Sequence, residues 1–144
     1  MLLEVIKIKK YIYHMKKNKK SFNIIELQTI SHCAAILRAC SGVQPFQLAN
    51  NINSCKIAAD VAIAEYQGAF DLIKERAADA PEQSEKDVME LVQHKYEIEV
   101  PEIKESEFAE LDITGDKEVP QQNGNITKFS YRDAYFNLLG LVII

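Results

Sequence analysis

Carboxylates crowd the stretch that carries Glu97, Glu99, Glu102, Glu105, Glu107 and Glu110. Closely spaced acids suit general acid–base chemistry, because neighbouring charges push proton affinities apart, and they suit a divalent cation held by oxygen ligands. Glu97 and Glu99 alternate with Ile98 and Val100, so in an extended chain both project from one face. Neither a histidine nor an Asp-x-Asp loop with glycine accompanies them. The pattern reads as the charged face of an edge strand, where charge deters unwanted pairing. Other chemistry is equally thin. No serine lies in a GxSxG elbow, and neither GxxxxGK[ST] nor GxGxxG occurs. Cys33, Cys40 and Cys55 are odd in number and form no CxxC pair, which suits reduced, half-buried core thiols in a cytosolic protein. His14, His32 and His94 do not complete a zinc ligand set, and His32 and Cys33, adjacent on a helix, point apart. The sequence therefore predicts no catalytic, cofactor-binding or metal-ligating residue, no cofactor and no enzyme.

These side chains need a frame, and its longest member runs from Pro45 to about Ala80. Leu48, Ile52, Cys55, Ala59, Ala62, Tyr66, Ala69 and Ile73 recur at alternating steps of four and three, a seven-residue repeat on one helix. Much of this seam is small, so a partner helix can approach closely. Asn23 with Glu26 has the spacing of a capping box and opens a shorter helix from about Ile24 to Cys40. Ser41-Gly42 ends it, glycine being suited to a left-handed residue past a helix terminus, and Pro45 suits the first turn of the next helix. The short connection predicts an antiparallel helical hairpin over 23–80 whose second arm overhangs the first. That overhang requires a partner, either a third helix or another subunit. Asn50, Asn51, Lys56 and Asp60 read as solvent face, with a polar contact surface as the alternative; Asp71 and Glu75 with nearby basic residues read as ordinary surface charge patterning.

Pro81 breaks the long helix. Ser84 with Asp87 predicts a cap for a third helix through Val88, Leu91 and Val92, and YEIEVPEI (96–103) predicts an extended run with Pro101 at an edge. One or two helical turns are expected from Glu105 to Leu111, a turn at Thr114-Gly115-Asp116 and a polar loop from Pro120 to Asn125. Ser130 with Asp133 predicts another cap, introducing Tyr131 to Leu139. The apolar end LLGLVII is too short to span a bilayer and requires burial under the hairpin or in a neighbouring molecule.

A length of 144 residues fits one domain, and 47% hydrophobic with 26% charged residues is ordinary for a globular protein. Lys7, Lys9, Lys10, Lys16, Lys17, Lys19 and Lys20 stand against Glu4 alone in residues 1–20, a charge of +6 that leaves −10 on the rest of a chain with net charge −4. The acidic body argues against nucleic-acid binding by the folded domain. The first twenty residues fit a short strand, a basic amphipathic arm or an extension upstream of a start at Met15, but neither a secretory signal nor a membrane span. The expected organisation is a basic arm over 1–20 and a single domain over 21–144. That domain is mainly α with a minor β element (α+β), the hairpin 23–80 being followed by an α/β part at 84–144.

This layout resembles the short helical accessory proteins of tailed phages, a family of unknown function. The resemblance lies in the short first helix Ile24–Cys40, the Pro-initiated long helix, the amphipathic third helix, the acidic run YEIEVPEI and the apolar carboxy terminus; it covers Phe22 to Ile144. The lysine-rich start departs from it. The resemblance implies a non-enzymatic accessory or assembly protein, cytoplasmic in a bacterial host. It would act through protein–protein contacts, as a homo-oligomer or with a partner, by the helical seam or the apolar end. A regulator tethered to nucleic acid by the lysine-rich arm is the alternative reading.

Overall fold

The computed structural model describes residues 17–43 and 45–144. His14 and the larger part of the basic arm lie outside the described residues. The first strand, β1 (Lys17–Phe22), starts inside the stretch assigned to that arm. It is followed by α1 (Ile24–Arg38), α2 (Phe46–Arg76), α3 (Pro81–Gln93), β2 (Tyr96–Pro101), a 3-10 turn at Glu105–Phe108, the strands β3 (Asp116–Pro120) and β4 (Ile126–Ser130), and α4 (Tyr131–Leu138). The chain is mainly α with a minor β part, as its periodicities require.

Local chemistry sets most of these boundaries. The Asn23 side chain accepts from the Glu26 backbone N–H at 2.9 Å while the Asn23 N–H donates to Glu26 Oε1 at 3.0 Å, so the capping box forms. Ser130 Oγ likewise accepts from the Asp133 N–H at 3.2 Å and opens α4. The cap expected at Ser84 does not form. Pro81 already occupies the first turn of α3, where its missing N–H costs nothing, and the Ser84 hydroxyl donates back to the Ala80 carbonyl at 3.0 Å. Helix α3 therefore begins three residues before the predicted cap, and the domain's second part begins with it. Gly42 is also not what the sequence suggested. Its φ is not positive, as those of Gly115, Gly124 and Gly140 are; a Cβ there would lie 1.5 Å from the Asp112 carbonyl oxygen. The position is glycine because another backbone crosses it.

Helices α1 and α2 form the hairpin. Leu27, Ile30, Ala34 and Leu37 of α1 and Leu48, Ile52, Cys55, Ala59 and Ala62 of α2 are buried in one core. Each large apolar side chain so buried contributes about 1.5–3 kcal/mol. At 1.5 Å per residue α2 is about 46 Å long and α1 about 22 Å, so the seam outruns its first partner. Tyr66, Ala69 and Ile73, beyond that point, are only half-buried. Asn51, expected on the solvent face, is buried and accepts from Gln47 Nε2 at 3.2 Å; Asn50 is exposed. Asp60 accepts from Ser31 Oγ across the helices and from Lys56 Nζ one turn earlier on α2, each at 2.5 Å. Burial pushes the Asp60 carboxyl up, but those hydrogen bonds and the Lys56 and Arg38 charges outweigh it and hold it below the usual carboxylate range.

Strands β1 and β2 pair antiparallel within the chain, Lys17 opposite Pro101 and Phe22 opposite Tyr96. Ile98 and Val100 turn into the core while Glu97 and Glu99 face out. Strands β3 and β4 form a second antiparallel hairpin, Asp116 opposite Ser130 and Pro120 opposite Ile126; the turn expected at 114–116 and the polar loop expected at 120–125 overlap β3 at its two ends, and the sequence reading places no strand at 117–119 or 126–129. The chain end is buried under this frame. Val142 and Ile143 are almost fully enclosed. The Ile144 N–H donates to the Ile103 carbonyl at 2.9 Å, and the Glu105 N–H to the Ile144 carbonyl at 2.7 Å.

Candidate interaction surface

The glutamates that opened the chemical question do not converge. Glu97 lies 3.8 Å from Lys19 Nζ across the sheet, and Glu102 lies 4.0 Å from Lys104 Nζ. Glu107 accepts from the Lys104 backbone N–H at 2.7 Å. Among the described residues, no three of His, Cys, Asp and Glu come together in a way that would hold a metal ion. His32 packs edge-on against Phe129 at 4.9 Å and ties α1 to the β3–β4 hairpin. Cys33, Cys40 and Cys55 are buried free thiols, the last pushed up to about 12 by burial. Of the lysines in β1, Lys19 faces Glu97, and Lys20 Nζ donates to the Leu141 carbonyl at 3.1 Å, anchoring the chain end.

What the fold brings together lies elsewhere, where α2 runs past α1. The partner of the overhang is α3, folded back after the break at Pro81. The pair is incompletely covered. Phe70 and Ile73 of α2 and Ala77 just past its end, with Pro81, Val88 and Met89 of α3, line an apolar groove of about 530 Å³, and Met89 is 65% exposed. The Lys74 ammonium lies over the Phe70 ring, 5.7 Å from its centre. On the other flank of Ile73, a cleft of about 460 Å³ has Ala69, Ile73 and Leu91 for its floor and Glu65, Asp87 and Glu90 in its walls. His94 and Tyr96 close one end of it, their rings edge-to-face at 4.7 Å. Burial, with the Glu65 charge second, pushes the Tyr96 phenol up, so it stays protonated well past neutrality.

Both hollows set apolar side chains beside charged ones. The signals were present in the sequence. The last three seam positions had no visible partner, and α3 shows apolar residues on one side only. What periodicity could not give was how far α1 would cover α2. No helix among the described residues is long and apolar enough to cross a membrane. Comparison of the chain with protein-family models, with curated proteins and with solved structures gives no match.

Proposed function

We propose that this chain is a non-enzymatic accessory or assembly protein of phage-like type that works through protein–protein contacts made by its projecting helix pair. One observation carries the reading. The outer half of α2 and most of α3 extend beyond α1 and leave an apolar groove, lined by Phe70, Val88 and Met89, without a covering element among the described residues. An uncovered apolar groove costs free energy in water, and protein interfaces are a common reason for a chain to keep one. The order of elements, a short helix, a long Pro-initiated helix, an acidic strand and a buried apolar end, supports the phage-like part.

The lysine-tether alternative gains nothing from the described lysines, two of which are engaged by Glu97 and by the Leu141 carbonyl. The seam from Leu48 to Ala62 and the apolar end are enclosed by the chain's own core, which favours the helix pair as the contact surface.

The test is paired affinity capture from an extract of cells that carry the gene, using the chain and its V88S/M89S variant as baits. Proteins enriched by the first bait and lost with the second are the expected result. Equal recovery on both baits overturns the reading, as does no recovery on either from a chain that light scattering shows to be monomeric.

A further inference from the structure

Helix α2 carries a second apolar stripe on the side away from the core. At about 100° per residue, Ile57, Val61, Ala64, Gly68 and Leu72 fall within an arc of about 80°, opposite the buried Ile52, Cys55 and Ala59. Ile57, Val61 and Leu72 are 56%, 67% and 47% exposed, and a Cβ at Gly68 would meet nothing within 4 Å. Three large aliphatic side chains in one exposed row exceed the scattered apolar surface of an ordinary helix. Ahead of Ile57 the same side of α2 turns polar with Asn50 and Ser54, so the stripe starts at Ile57 and runs about 22 Å to Leu72. Its near end opens on a hollow of about 440 Å³ lined by Ile57, Ala58 and Val61, by Glu99 and Pro101 of β2, and by Lys17. Lys17 is the first residue of β1 and stands opposite Pro101. The backbone ahead of β1 therefore leaves from the wall of this hollow. The sequence it leads into, LLEVIKIKKYIY (2–13), holds six aliphatic residues and two tyrosines, with three lysines against Glu4.

We infer that residues 2–13 cover the stripe from Ile57 to Leu72 on their own molecule. Reach allows it: twelve residues span up to about 40 Å when extended, and they start at the hollow where the stripe begins. Apolarity matches on both sides, and burying one against the other removes both from water. Charge agrees. Glu99 in the hollow, with Glu65 and Asp71 beside the stripe, joins none of the ion pairs among the described residues, and Lys7, Lys9 and Lys10 supply the opposite sign. An occupant carried on the same chain also has an effective concentration on the order of mM, which a free partner or a second copy must exceed. Phe70 and Ile73, which line the groove of the helix pair, lie on the opposite side of α2, so this cover leaves that groove open. The proposed contact surface and the cover are thus tested separately.

The test places a thiol in the stripe with Val61→Cys, the native Cys33, Cys40 and Cys55 being buried. Its rate of alkylation by a maleimide is compared in three chains: the full length, the form starting at Met15, and the full length carrying I6S/I8S/I12S. The full-length thiol is expected to react about tenfold or more slowly than the other two, at a rate independent of protein concentration, as a covered population of about nine in ten or more would give. Lys128→Cys, on exposed β4, is expected to react alike in all three. Should the Met15 form lose its helices by circular dichroism, the serine variant carries the comparison with the chain length intact. A short bismaleimide is expected to link Ile12→Cys to Val61→Cys within one chain. Equal, fast alkylation at position 61 in all three overturns the inference and leaves the stripe to a partner protein. Slow alkylation in all three also overturns it, because residues 2–13 are then not the cover. Protection that grows with concentration, or a link formed only between chains, makes a second copy the occupant and overturns the assignment to one molecule.

Discussion

Single residues show most sharply where two parts of the chain meet. Gly42 and Cys40 both touch the backbone of Asp112: Cys40 Sγ donates to its carbonyl oxygen at 3.6 Å, and Gly42 leaves no room for a Cβ beside the same oxygen. An alanine at Gly42 is thus an overpacking change against rigid backbone, and Gly42→Ala is expected to cost about 2–3 kcal/mol, roughly 5–10 °C in thermal midpoint for a domain of this size. A thermal scan of the variant checks it, and an unchanged midpoint would show that the loops at Gly42 and Asp112 do not meet so closely. Cys55 gives a prediction in pH. Burial lifts its thiol from 9.0 to about 12, with the Lys20 charge drawing it down less strongly. The unfolded chain releases this proton from about pH 9 while the folded chain keeps it, so the folded state binds more protons in that window. Stability owed to the neutral thiol is complete below pH 9 and is lost as pH rises towards 12, with a slope approaching about 1.4 kcal/mol per pH unit. Urea unfolding from about pH 8 to about pH 10 should show a steeper decline in the native chain than in Cys55→Ala. Equal slopes would place the thiol outside the buried seam.

At the scale of elements, the long helix has two environments along one repeat. Ala62 and Ala69 stand one repeat apart on the same row, yet Ala62 is enclosed and Ala69 floors an open cleft. Ala62→Leu forces extra methylenes between packed helices and is expected to destabilise by about 1–3 kcal/mol. Ala69→Leu, extending into space, should change stability by less than about 0.5 kcal/mol. Chemical denaturation of the two variants separates them. If Ala69→Leu proved as costly as Ala62→Leu, the helix pair would be closed and the cleft would not exist in solution. The same contrast explains why α3 can be half-open yet ordered. Its start is fixed by Pro81 and the turn at Ala77–Ala80, and its Ser84 hydroxyl is satisfied by Ala80, leaving its outer face available.

For the molecule as a whole, the carboxy-terminal residues tie β1 and the segment after β2 to α4. Residues 141–144 carry the buried Val142 and Ile143 and accept or donate the hydrogen bonds to Ile103, Glu105 and Lys20. Deleting them removes two enclosed aliphatic side chains and leaves backbone groups unpaired, a loss of about 4 kcal/mol or more. The expected outcome is a chain that unfolds at markedly lower denaturant. A deletion that left the denaturation midpoint in place while abolishing a dimer seen by light scattering would instead assign this end to an interface. A burial of this kind, long in sequence separation, is what joins β1 at one end of the chain to α4 at the other.

Elements whose causes are local were legible in the amino-acid sequence. The capping box at Asn23, the N-cap at Ser130, the proline that stops one helix and starts another, the repeat along α2 and the alternation of Glu97 to Val100 all act within a few residues, and they place four helices and the acidic strand. It also showed that an apolar end and an overlong helix both need cover. Tertiary structure decided what covers them. That Asn51 is enclosed, that Gly42 answers to Asp112 and that Lys17 to Phe22 pair with Tyr96 to Pro101 depend on residues far away in the chain. So does the β3–β4 hairpin, whose half-buried Lys117, Val119, Thr127 and Phe129 gain their order partly from α1 through His32. The open cleft and groove are the clearest case. They exist because α1, antiparallel to α2 with Arg38 beside Asn53 and Ser31 beside Asp60, has its far end at Ile24 while α2 continues to Arg76, and no local pattern states how two helix lengths will align once packed.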